Sequence, residues 1–179
     1  MLNNIAALLD AGVAASTNSY ESIQTVSVGS GGQSSISFTV IPGTYKHLQI
    51  RGIAQCGGQY ITMRANGDSA NNYDAHELYG TGTTAGAAAF TTRSNMIIDF
   101  MPTSTLYGGI VLDILDYTST NKNKTMRALC GFDSNGGGSL GLMSGLWRNS
   151  STAITSLELT PASGLFSQYS SFALYGIKG

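Results

Sequence analysis

Two regimes of hydrophobic patterning divide the chain into residues 1–18 and 19–179. Within residues 2–13, Leu2, Ile5, Ala6, Leu9 and Val13 recur at spacings of three and four, which is one helical face. Asn3, Asn4 and Asp10 lie off that face, and Gly12 is a stop signal. From Tyr20 the period drops to two, the signature of half-buried strands. Strands are predicted over Tyr20–Val28, Ile36–Val40, Leu48–Ile53, Tyr60–Arg64, Met96–Phe100, Gly109–Tyr117, Thr125–Phe132, Leu140–Trp147, Ile154–Leu159 and Ser170–Ile177. Asn66-Gly67-Asp68 after Tyr60–Arg64 is the strongest short hairpin signal in the chain. Residues 68–92 are the least regular and read as a long surface excursion with one strand near Leu78. Gly109–Tyr117 is almost continuously apolar, as in a strand covered on both faces or lying at a subunit contact.

Eight to ten strands at regular spacing, separated by Gly, Ser and Thr turns, predict an all-β fold: a jelly-roll-like antiparallel β-sandwich over residues 19–179. A short helical or extended arm, residues 1–18, precedes it. About a dozen residues make a marginal helix in water, so the arm must dock. It either covers an opening of its own sandwich or packs on another subunit, with Leu2, Ile5, Leu8, Leu9 and Val13 as its contact residues.

Composition sharpens this picture. Charged residues are 11% of the chain, against about 25% in an ordinary soluble domain. A surface so poor in charge is expected to be covered in part by other chains. The net charge of −1 and the lack of any basic run argue against a nucleic-acid partner. No apolar stretch has the length of a membrane-spanning helix, and no Lys or Arg precedes Lys46, so the positive region of a secretory signal is missing. Cys56 and Cys130 read as buried, reduced apolar side chains, with a disulfide between them as the alternative.

Candidate chemistry is sparse. His76 neighbours Asp74 and Glu77, but adjacent strand positions point to opposite faces. Asn66, Asp68, Asn71, Asn72 and Asp74 are oxygen donors of the kind calcium uses, without an EF-hand order, and turn formation accounts for them. Asp99, Asp113, Asp116 and Glu158 supply carboxylates among which nothing selects a glycosidase pair. Gly136-Gly137-Gly138 lacks a phosphate-loop lysine and reads as a turn. Tyr60, Tyr73, Tyr79, Tyr107 and Trp147 fall near strand ends, where rings can stack on sugars. No catalytic residue, cofactor or metal site is expected.

The segments Tyr20-Glu-Ser-Ile, Ile41-Pro-Gly-Thr-Tyr-Lys-His-Leu-Gln-Ile-Arg51, Asn66-Gly-Asp68 and Leu112-Asp-Ile-Leu-Asp-Tyr117 resemble small tailed-bacteriophage virion proteins. The opening Met-Leu-Asn-Asn-Ile-Ala-Ala-Leu and the ending Ser171-Phe-Ala-Leu-Tyr-Gly-Ile-Lys-Gly179 are similar too. The resemblance implies a β-sandwich building block of a phage particle, often trimeric, with an N-terminal attaching segment. It carries over no enzymatic residues. The expected function is a capsid decoration (cement) protein, bridging the major capsid lattice and located in the virion. The alternative is a tail-tip or fibre module binding host surface glycans through loops 66–92 and 132–139.

Overall fold

The computed structural model describes residues 19–103 and 105–179. The predicted arm, with Leu2, Ile5, Leu8, Leu9 and Val13, lies outside the described residues. Among the described residues, twelve strands form two antiparallel sheets. In chain order they are β1 (Tyr20–Ser27), β2 (Ile36–Phe38), β3 (His47–Ala54), β4 (Tyr60–Ala65), β5 (Tyr73–Gly80) and β6 (Ala85–Arg93). They continue as β7 (Met96–Phe100), β8 (Gly108–Leu115), β9 (Lys124–Asp133), β10 (Gly138–Trp147), β11 (Leu157–Pro161) and β12 (Ser171–Ile177). The large sheet has the order β1-β12-β3-β8-β9-β10-β5-β6, and the small one β2-β11-β4-β7. The chain is therefore an all-β sandwich.

The core lies between the sheets and follows from strand alternation. Leu48, Ile50, Ile110, Leu112, Ile114, Met126, Phe172 and Leu174 from the large sheet face Ile36, Phe38, Ile61, Met63, Leu157 and Leu159 from the small one, and all are buried. β7 packs across β9, β10 and β5. It comes close because Gly145 has no side chain: a Cβ there would collide with Sδ and Cε of Met96.

Three features differ from the pattern-based expectation. Asn66 and Gly67 adopt the paired positive φ of a tight turn, 52° and 69°, and Asp68 N–H closes it on Ala65 O at 2.9 Å. Yet β4 and β5 belong to different sheets, so the turn carries the chain across the sandwich rather than into a hairpin. Tertiary bonds take it there. Asn66 Oδ1 accepts Thr155 N–H at 2.8 Å and Ser156 N–H at 3.1 Å, and its Nδ2 donates to Ala153 O at 2.8 Å.

The second difference is the excursion 68–92, which contains a full hairpin, β5–β6, closed by Thr81 N–H to Thr84 O at 2.9 Å. β6 has no signature in the pattern because Ala85-Gly-Ala-Ala-Ala89 offers no apolar–polar contrast. Third, β8 is buried on one face only: Ile110, Leu112 and Ile114 point inward, while Val111 is 37% exposed. Of the two expectations for that run, coverage on both faces fails within this chain.

Candidate functional site: the outer face of the large sheet

Strand register assembles the site. Antiparallel pairing aligns Thr25, Ala173, Arg51, Val111, Leu129, Leu142, Leu78 and Ala87 in one row across all eight strands. The next row reads Ser27, Ser171, Ile53, Gly109, Gly131, Leu140, Gly80 and Ala85. Both rows point away from the core. Leu78 and Leu140 are each 59% exposed, Leu142 51%, and Leu129 and Ile53 49%. Gly109 and Gly131 between them leave a shallow depression of about 610 Å³, bounded by Arg51, Ile53, Val111, Leu129 and Leu140. Scattered exposed leucines need no explanation, but a contiguous band of them marks a surface built to be covered.

A polar border flanks the band along the neighbouring row, Gln49, Asp113 and Arg127, with Arg51 reaching over from the first row. Arg51 Nε donates to Gln49 Oε1 at 2.7 Å, Gln49 Nε2 donates to Asp113 Oδ1 at 2.7 Å, and Arg127 Nε donates to Asp113 Oδ2 at 2.9 Å. The Arg51 guanidinium also lies 5.6 Å from the Tyr20 ring centroid and 6.0 Å from that of Tyr175. Gln49 is only 6% exposed although it stands on this outer face. The border is therefore a preset arrangement of hydrogen bonds, suited to the polar rim of an interface.

No known protein family matches the chain, and no curated protein sequence matches it significantly. Its function has to be read from this geometry.

The residues singled out by sequence are mostly engaged elsewhere. Asp68 accepts from Trp147 Nε1 at 2.7 Å, Asn72 Nδ2 at 2.9 Å and Ala70 N at 2.9 Å. Together with the bonds of Asn66, this makes the Asn/Asp cluster the framework of a turn. Asp74 pairs with Arg148 at 2.9 Å and accepts Thr92 N–H at 2.8 Å. His76 is exposed on the outer face, whereas Glu77 is buried on the opposite one. Among the described residues no three His, Cys, Asp or Glu side chains gather as metal ligands. Cys56 and Cys130 are buried and unbridged, and burial pushes the Cys56 thiol up to about 11.

The candidate carboxylates do not converge on one site. Asp113 belongs to the polar border, Glu158 stands on β11 beside Arg64 in register, and Asp99 falls in β7. Asp116, just past β8 at a φ of 46°, is held by Lys122 and by Lys46 at 2.9 Å. Lys122 first and Lys46 second lower its pKa from 3.8 to about 2. A carboxylate depressed on folding adds stability above its unfolded value that is lost as pH falls through the folded one. The wild type should therefore lose stability between pH 3.8 and about 2, by a small amount because the site is open to solvent. Asp116→Asn should lose less over the same interval in thermal unfolding, and an unchanged pH slope would show that the lysines contribute nothing.

Of the candidate sugar-stacking rings, Tyr73 and Trp147 are buried against each other with centroids 6.5 Å apart. Tyr107 OH donates to Gln168 O at 2.6 Å. The loops of the glycan alternative also separate. Tyr73 pairs with Trp147 at one end of β5, and Gly80 with Leu140 at the other. Only the β5–β6 turn therefore meets loop 132–139. There Gln59, Tyr79, Thr81, Met101, Phe132 and Ser139 line a cavity of about 310 Å³.

Proposed function

We propose that this chain is a non-enzymatic structural protein of a tailed-bacteriophage virion, acting as a capsid decoration protein that bridges and stabilises the major capsid lattice. The observation that carries this reading is the apolar outer face of the large sheet, with Ile53, Val111, Leu78, Leu129, Leu140 and Leu142 projecting from five adjacent strands. Covering such a face removes apolar area from water at about 25 cal/mol per Å², and repetition over a lattice multiplies the gain through avidity. The low charge content serves the same purpose, because few side chains need desolvating when neighbours close over the surface.

In this reading the sandwich is a jelly roll with insertions. With β5, β6, β9 and β10 set aside, the sheets read β1-β12-β3-β8 and β2-β11-β4-β7, each drawing its strands from both halves of the chain. The partners are further copies of this chain, as a trimer in the resemblance, and the major capsid protein. Residues 1–18 supply the attachment through Leu2, Ile5, Leu8, Leu9 and Val13.

Gold-labelled antibody against the protein, imaged on intact particles, tests the location. Label over the head is the expected result, and label confined to the tail would overturn decoration. Deleting residues 1–18 should leave a folded sandwich that no longer adds to shells lacking it. Undiminished binding by the truncated protein would remove the role of the arm.

A second reading has one specific observation behind it: the 310 Å³ cavity beside Tyr79 and Phe132 has the size and mixed lining of a sugar subsite. A tail module binding host glycans would use it. A glycan array with no hits, together with no binding to host cells, would dispose of that reading.

A further inference from the structure

The two sheets expose four edges, and three of them are blunted. β1 carries Glu21 and a bulge between Ser22 and Gln24. β2 is three residues long, and β7 is five residues with a break in its register against β4. β6 is different. Its register against β5 is unbroken from Ala85 to Phe90, and Ala85–Thr92 contains no charge and no proline. The bulge that does occur lies at its far end, where Thr92 has a φ of 58°. A long, straight, uncharged edge presents a row of main-chain donors and acceptors ready to pair with another strand.

We infer that β6 pairs antiparallel with β6 of a second copy of this chain, joining two large sheets edge to edge. This goes beyond the virion reading and does not rest on it. Three features favour a second copy as the occupant. A two-fold axis through Ala87 sets Ala85 against Ala89, Gly86 against Ala88 and Ala87 against its own copy, so only Ala and Gly meet across that stretch. Arg93, the one charged residue of the strand, is sent to opposite ends of the ribbon, so like charges do not face one another. Finally, the apolar row through Val111, Leu129, Leu142 and Leu78 ends on Ala87, so pairing continues that row into the second copy's sheet. Any trimer formed through other surfaces would be joined to another trimer by the same contact.

Two sets of full-length variants test this. Ala87→Lys/Ala89→Lys places like charges across the proposed contact at positions already exposed to solvent, which should leave the fold intact. Light scattering should show a wild type of two copies or a multiple of two, and a variant of half that mass. Separately, Ala85→Cys, Ala87→Cys and Ala89→Cys sample the registers that a Gly/Ala strand permits. At least one should give a disulfide-linked dimer on oxidation, since Cys56 and Cys130 are buried and do not contribute. A monomeric wild type, a mass unchanged by the lysines, or no linked dimer from any cysteine variant would each overturn the inference. The pair Leu129→Asp/Leu142→Asp separates it from the outer-face reading, because those residues sit two and three strands inside the edge and should leave β6 pairing unchanged.

Discussion

Replacing Leu129 and Leu142 together by aspartate is expected to abolish attachment to particles while leaving the fold intact. The two leucines are direct cross-strand neighbours on β9 and β10, and each is about half exposed, 49% and 51%. Neither fills the core, so the stability change should stay within about 1 kcal/mol. In a covered interface the same substitutions bury two unpaired carboxylates, each with an effective penalty of several kcal/mol. Binding to stripped particles should therefore fall by at least about a hundredfold, with the unfolding temperature little changed. Wild-type binding by the double variant would show that this face is not the contact.

The second large effect concerns stability. Trp147 is 1% exposed and its indole N–H donates to Asp68 Oδ2 at 2.7 Å. Lys124 Nζ lies 5.3 Å from the Trp147 ring centroid and donates to Asn149 O at 2.8 Å. Burial holds the Lys124 ammonium below the usual lysine range. Trp147→Ala should cost about 3–5 kcal/mol, from lost apolar burial and the cavity left behind. In a domain of this size that lowers the unfolding midpoint by roughly 6–20 °C.

Asp68→Ala removes the acceptor of three hydrogen bonds and leaves the buried Trp147 N–H without it, which should cost about 1–3 kcal/mol. Burial by itself raises the Asp68 pKa, but hydrogen bonds from Asn72, Trp147 and Ala70 outweigh it and hold the carboxyl below the usual range. Its contribution is thus present above the unfolded pKa and lost as pH falls through the folded one. Asp68→Ala should unfold at a lower temperature than wild type and with a flatter acid dependence. A calorimetric midpoint equal to wild type for either variant would refute this account of the cluster.

Much of the sandwich was legible because alternation is a local property. Ile36-Ser-Phe38, Leu48 to Ile53 and Phe172 to Ile177 place apolar side chains two apart, and each became a strand with that face buried. β6 was not legible, since alanine and glycine pack on either face and leave no contrast. The outer face was only half legible. The continuous run in β8 points to a contact surface, and Ala128-Leu129-Cys130 and Leu140-Gly-Leu142-Met143 carry the same signal on the neighbouring strands. A leucine beside a buried residue in an extended segment must point outward, and that inference was available from the residues alone.

What the sequence determined by itself is the class of the fold, the absence of a recognisable catalytic motif and the low charge of the surface, because these depend on residue type and spacing along the chain. Only the tertiary structure decided which strands are neighbours. Asn66-Gly67 makes the same tight turn whether the next strand pairs with β4 or crosses to the other sheet, and its bonds to the segment 153–156 choose the crossing. The apolar row has the same origin. Leu78, Val111, Leu129 and Leu142 are far apart in the chain, and hydrogen-bonded register alone sets them side by side. A surface of that kind is a property of pairing across strands, which no pattern within a single strand encodes.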